Sequence, residues 1–378
     1  MALDRIPLSE PHLGGNARRY LDECVATNFV SSVGPFVERF EREFAAYVGS
    51  KHAVACSSGT AALHVALHVL GVEAGDEVWV QTLTFIASAN PILYLGATPV
   101  LVDSERRTWN ADPGLMAEEI RRRVAVGARL PRVIELVHVL GQPADLGELV
   151  PLCAEHGIAL LEDAAEALGA TVGTNARHVG TIGRVGCFSF NGNKIITSGG
   201  GGMIVTDDDA LARRAKHLTT QARLPGLAYR HDEVGYNYRL TNTAAALGVA
   251  QLERLDEFLQ AKQSIAARYD SAFASVENLT PPPRVLWSHA TYWLYSVLFD
   301  STQRRDAVLQ SLLENGIDAR PLWTPLHLMA PYRTAPRLGT GAVAETLAER
   351  GLSLPSSVGL PAEQQQRVID VVLAGASR

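Results

Sequence analysis

Between His52 and Asp163, short apolar runs alternate with amphipathic ones, and no other feature limits the fold of this chain as much. "HAVAC" reads as a buried strand and "TAALHVALHVL" as a helix; "DEVWVQ" is a strand and "FIASANPILYLG" a helix interrupted by proline. "TPVLVD" is the next strand, Asp112-Pro113 opens a helix through "LMAEEIRRRV", "RVIELVHVL" is a strand, "DLGELVPLCAEHG" a helix and "IALLED" a strand. Strands of this length, apolar on both faces and joined by helices, pair into a mostly parallel sheet with helices on either side. The predicted fold class is α/β. Ligands of such sheets gather beyond the carboxyl ends of the strands.

Ahead of this region, "PFVERFEREFAAYVG" repeats phenylalanine every four residues, with Pro35 suited to a first helical turn and Gly49 to its end. Past about residue 205 the pattern changes. "DALARRAKHLTTQ" is helical, "ARLPGLAYRHDEVGYNYRLTN" is polar, aromatic and irregular, and one long helix is predicted over roughly Thr243 to Tyr269. "TYWLYSVLFD" as a strand and "RRDAVLQSLLENG" as a helix imply a smaller α+β domain. The expected division is a large domain over 1–254, with the N-terminal segment able to pack on its neighbour, and a small domain over 255–378. A formal charge of −6 argues against nucleic acid as a partner. No apolar leader core or membrane-length run is present, so the cytoplasm is the expected location. Cys24, Cys56, Cys153 and Cys187 form no CxxC pair, so neither a metal nor a disulfide is expected.

Three strand ends carry chemistry. In "SSGTAALHVAL", small residues lead from a strand into a helix whose first N–H groups lack partners, where a phosphate can settle; Gly59 permits close approach and Thr60 adds a hydroxyl. Taken alone, this turn reads as an ordinary Ser/Gly cap. In "IALLEDAAEALGA", Asp163 ends a very apolar strand, where a carboxylate is costly unless it meets a cation; it also reads as a helix cap. In "FSFNGNKIITSGGGGMIVTDD", Lys194 precedes four consecutive glycines and, alone, reads as a solvated loop lysine. Together, a phosphate cup, a strand-end aspartate and a loop lysine meet the needs of pyridoxal 5'-phosphate (PLP): an amine for its aldehyde, an acid for its pyridine nitrogen, and N–H groups for its phosphate. Phe85, in "TLTFIASAN", offers a flat face for the ring and otherwise belongs to a core.

These stretches, with "VHVLGQPADL", "GYNYRLTN" and "RPLWTPLH", occur in an order that resembles the DegT/DnrJ/EryC1/StrS sugar aminotransferases. The resemblance implies PLP-dependent transferase fold type I, as in aspartate aminotransferase, and a homodimer with shared active sites. The wording "SFNGNKIIT" and "EDAAEALG" is most similar to enzymes that aminate C4 of UDP-linked 4-keto-6-deoxy-N-acetylhexosamines with L-glutamate as donor. By this resemblance Lys194 and Asp163 are catalytic. Lys194 links to the aldehyde and carries the proton between the donor's Cα and the cofactor, and Asp163 pairs with the ring nitrogen. Gly59, Thr60 and Ser189 bind the phosphate, and Asn237 reaches the phosphate of a neighbouring subunit. Glu166 stands near the phenolic oxygen, where an acid must be protonated or face a donor. His327 lines the substrate site. Gly200 replaces an acid common in relatives, which implies either room for a bulkier substituent such as an N-acetyl group or simply a tighter turn. Arg230, Arg239 and Arg320 are candidates for a pyrophosphate or carboxylate, without commitment among them. Cyclitol amination, and a binding or regulatory protein that keeps the fold without turnover, are the alternatives. A sugar dehydratase of the same family is disfavoured, since such relatives lack the lysine.

Overall fold

The computed structural model describes residues 5–376. Helix α1 (Ala17–Ala26) precedes α2 (Pro35–Val48), which Gly49 ends in the left-handed conformation at φ 75°. The large sheet takes β1 (His52–Cys56), β2 (Glu77–Gln81), β3 (Thr98–Val102), β4 (Val133–Val137), β5 (Ala159–Asp163), β6 (Val185–Ser189) and β7 (Gly202–Thr206) in the order β1-β7-β6-β5-β4-β2-β3, with Arg337–Leu338 added beside β3. Only β7 runs against the rest.

Alternation along each strand builds two cores. Val78, Leu101, Val133, Val137 and Leu161 face a core shared with α2 and with α3 (Gly59–Val69). Trp79, Val100, Val102, Ile134, Leu136 and Leu160 face the opposite one, under the helices Pro113–Ala125 and Leu149–His156. Burying such strands on both faces supplies most of the driving force, about 1.5–3 kcal/mol for each large apolar side chain. A third core joins Ile6 to Ile265, Tyr269, Phe273, Tyr295, Phe299, Leu352 and Val368 around a sheet ordered Leu279–Thr280, Tyr295–Phe299, Gly351–Leu354, Arg320–Pro321. The chain then crosses back: Leu322, Leu326, Tyr332 and Leu347 pack in the core of the large sheet.

Three expectations about local structure change. The long helix is two, Asn242–Leu252 and Leu255–Phe273, broken without glycine or proline. The break is tertiary: the Glu253 carboxylate accepts from Tyr20 (2.6 Å), Asn16 (2.7 Å) and Arg39 (2.8 Å). In "FIASANPILYLG" only Asn90–Tyr94 is helical, and Pro91 opens that helix instead of interrupting it. The strand expected over "RVIELVHVL" stops at Val137, because the chain turns sharply through Leu140 (φ 57°) and Gly141 (φ 89°).

Candidate active site

The carboxyl ends of β4, β5 and β6 open into a cavity of about 270 Å³. Its wall includes Val137 and Asp163, paired across β4 and β5, and Ser189 at the end of β6. Period-two alternation separates the two acids that end β5. Glu162 faces away, fully buried, and accepts from His138 Nε2 (3.0 Å), Gly180 N (2.8 Å) and Ile182 N (2.6 Å). Because His138 Nδ1 accepts from Ala144 N (3.0 Å), its Nε2 carries the proton given to Glu162. Burial alone would push the Glu162 carboxyl up; His138 and the surrounding N–H groups outweigh it and hold the group below its usual range. Glu162 is thus an anion that pins the Gly180–Gly183 turn.

Asp163 faces the cavity. Its Oδ2 accepts from Ser88 Oγ (2.8 Å) and its Oδ1 from Ala165 N (3.1 Å). Burial nevertheless raises its pKa, the expected state of a carboxylate short of a cation. Glu135, on the same face of β4 as Val137, is buried and, among the described residues, neither carboxylate oxygen has a hydrogen-bond partner. Burial, aided by the charge of Asp163, pushes its carboxyl far up.

Lys194 reaches this space from the turn after β6. Its Nζ lies 3.5 Å from Glu166 Oε1 and 3.9 Å from the centre of the Trp293 ring. The donor that an acid at position 166 requires is present, since Glu166 Oε2 also accepts from Leu140 N (2.8 Å). Burial raises the Glu166 carboxyl, while Lys194 and that N–H oppose the rise. The same bond holds Leu140 in its left-handed conformation, which ties the "VHVLGQ" turn to the "EDAAE" segment.

At the cavity floor α3 begins. Ser58 caps it, its Oγ accepting from Ala61 N (3.0 Å), which leaves the N–H groups of Gly59 and Thr60 without intrahelical acceptors. A Cβ on Gly59 would come within 2.8 Å of Ser189 Cβ, so only glycine lets the helix mouth and Ser189 stand this close. Phe85, 54% exposed, presents its ring at the rim. An anion cup, an undercompensated buried acid, a bare aromatic face and an amine line one cavity. This donor set fits the phosphate, ring nitrogen, ring face and aldehyde of PLP.

Gly59, Thr60, Phe85, Asp163, Glu166, Ser189, Lys194 and Gly200 all line the cavity. His327 does not. It is 4% exposed, with Nδ1 on Thr82 Oγ1 (2.7 Å) and Nε2 on Glu345 Oε1 (2.9 Å), where it joins β2 to the helix Ala342–Arg350. Asn237 is exposed outside the cavity, between Tyr236 and Tyr238, whose rings stack at 5.0 Å. Arg230, Arg239 and Arg320 are also absent from the wall. Ser88, Asn191, Asn193, Trp293 and Trp323 line it as well, in addition to the residues expected from the sequence. Ser88 stood within reach of sequence reasoning, being three residues past Phe85 on one turn. The tryptophans arrive from a distant part of the chain, and no spacing marks them.

A sequence profile of the DegT/DnrJ/EryC1/StrS aminotransferase family matches residues 11–373. EpsN of Bacillus subtilis (strain 168) is 42% identical over 98% of this chain and 95% of its own length. GDP-perosamine synthase of Caulobacter vibrioides is 42% identical over 97% of both chains. The crystal structure of the aminotransferase TlmJ from Streptoalloteichus hindustanus superimposes with a TM-score of 0.90 at 32% identity, covering 98% of this chain and 99% of that one. The sheet order is that of fold type I, and the cavity that PLP fits lies where its strands end. Sequence, fold and site therefore agree: this chain belongs to the DegT/DnrJ/EryC1/StrS aminotransferase family, with PLP as its cofactor.

Proposed function

We propose that the chain transfers the amino group of L-glutamate to C4 of a nucleotide-linked 4-keto-6-deoxy sugar, of the UDP-N-acetylhexosamine type. The convergence of Lys194, Asp163 and the α3 mouth on one cavity carries this reading. When bound, PLP supplies an aldehyde for the donor's amine and an electron sink for its Cα. The chain's own residues supply the rest. Gly59 and Thr60 N–H groups and the Ser189 hydroxyl hold the phosphate. Asp163, oriented by Ser88, keeps a proton on the ring nitrogen. Phe85 covers one ring face. Lys194 would be the amine that holds the aldehyde and, once free, the base that carries the proton between the donor's Cα and the cofactor's C4'. Trp293 and Trp323, stacked at 11° with centroids 6.3 Å apart, wall off water on the side of the smaller sheet.

Gly200 supports the N-acetyl reading. It lines the cavity, and a Cβ there would meet only Ser57 O at 3.9 Å, so space is open for an acetamido group. The similarity to GDP-perosamine synthases favours a second reading, a GDP-linked substrate. A homodimer is part of the proposal. Leu227, Tyr229 and Val234 are at least 82% exposed on the segment that carries Asn237, and a second copy would cover them and place Asn237 at its phosphate.

The test offers UDP-4-keto-6-deoxy-N-acetylglucosamine and the GDP- and dTDP-linked 4-keto-6-deoxy sugars with glutamate, reading the aminated carbon by NMR. The expected result is amination at C4, with kcat/KM for the UDP sugar about tenfold or more above the others. A preference for the GDP sugar would establish the second reading. An absence of turnover with every keto-sugar, with no response of the cofactor's absorbance to glutamate, would overturn the enzymatic assignment.

A further inference from the structure

Lys262 lies on the helix Leu255–Phe273, outside the cavity wall, yet only 2% of it is exposed. Its Nζ donates to Trp293 O (2.8 Å) and to Ser356 O. No carboxylate pairs with it among the described ion pairs, and burial pulls its amine down to about 7. Charged or neutral, the amine offers the two N–H donors that the two carbonyls need. A lysine placed this way is costly as a packing element, since a methionine would fill the space without desolvating an amine.

What it holds is Trp293, which stands directly against Lys194. Trp293 lies with its ring face 3.9 Å from Lys194 Nζ, and its indole Nε1–H donates to Asn193 O (2.6 Å), the carbonyl just before Lys194. Ser9 Oγ donates to the same oxygen (3.1 Å). Lys194 N in turn donates to Asn191 O (3.0 Å), and Ser198 N to Phe190 O (3.0 Å), closing the turn on which the lysine stands. The second carbonyl under Lys262 belongs to a residue that anchors this part of the smaller sheet: Ser356 Oγ accepts from Tyr295 N (2.9 Å) and donates to Leu354 O (2.7 Å). A continuous path runs from Lys262 through the Trp293 backbone and indole to the lysine turn.

We infer that Lys262 is a positioning residue for the transamination: by fixing Trp293 it holds the Asn191–Ser198 turn and the amine of Lys194 in place. The inference rests on the reading of Lys194 as the lysine that serves the cofactor; its structural readout does not. Lys262→Met removes both donors while keeping the length of the stem. Trp293→Phe keeps an aromatic face over Lys194 and removes the Nε1–H bond to Asn193.

The test measures backbone amide hydrogen exchange in the full-length holoenzyme, alongside thermal melting and the half-reaction with glutamate. In Lys262→Met, exchange across 191–198 should rise about five- to tenfold, the loss expected for one net hydrogen bond. Exchange in β4 and β5 should stay unchanged. The half-reaction rate should fall by about tenfold with little change in KM for glutamate, because the donor's own contacts remain. In the Trp293→Phe background the same substitution should add almost nothing to exchange at 191–198, since the path is already cut. Should Lys262→Met fail to accumulate as folded protein, Lys262→Gln, which retains amide donors on a shorter stem, should show the same local rise to a smaller degree. A rise spread evenly over the molecule, a segment unchanged at 191–198, or an equal increment with and without Trp293→Phe would each overturn the inference.

Discussion

Lys194→Ala should leave a folded, cofactor-binding protein whose transamination is reduced by at least about 10³-fold. The fold survives because Lys194 supports little packing: its amine touches Glu166 at 3.5 Å and the Trp293 ring at 3.9 Å, and Trp293 keeps its own bond to Asn193. The cofactor should still bind, since the α3 mouth, Ser189, Asp163 and Phe85 are untouched. Chemistry is lost because, among the described residues, no other amine lines the cavity to take the proton from the donor. The charge that opposes the upward push of burial on Glu166 also disappears, so that carboxyl should stay protonated to higher pH. Single-turnover kinetics with glutamate, read beside a thermal melt, check both halves of the expectation.

Asp163→Asn should reduce catalysis by about 10²- to 10³-fold, the usual loss when one buried electrostatic partner of the reacting group is removed. Its effect on stability should be opposite in sign. Burial raises the Asp163 pKa in the cofactor-free chain, so the folded state binds more protons than the unfolded one once pH exceeds the ordinary aspartate value. Stability from this group is full below that value and is lost as pH rises toward the folded pKa. Cofactor-free Asp163→Asn should therefore melt above the cofactor-free wild type at neutral pH, with the gap closing in acid. Loading PLP should reverse the order, because a cationic ring nitrogen then compensates the wild-type carboxylate and not the amide. Melting curves of both proteins with and without cofactor, at pH 4 and pH 7, test this; a wild type that melts higher in every condition would contradict the assigned pairing.

Much of this arrangement was legible before the structure, for identifiable reasons. Strand and helix order could be read because the sheet is buried on both faces, which makes each strand a short apolar run. Asp163 stood out because a charge at the end of "IALLED" conflicts with the four apolar residues before it in "IALL". Lys194 stood out beside the glycines. The break at Glu253 was invisible because Tyr20, Asn16 and Arg39 impose it from far away in sequence. His327 shows the reverse limit: a histidine in a suggestive motif has both ring nitrogens engaged outside the cavity. Trp293 and Lys262 escaped for the same reason as Glu253. Their roles depend on contacts across 100 residues in the bond of Trp293 to Asn193, and 31 in that of Lys262 to Trp293, and neither side chain is unusual for its local segment.

The central claim is that one particular amine holds the cofactor. Borohydride reduction of the purified holoenzyme, followed by peptide mass spectrometry, locates that amine directly. The account predicts a single pyridoxyl-modified peptide with the label on Lys194. A label on Lys51, Lys216 or Lys262 instead, or no covalent label on a protein that carries the cofactor, would contradict it.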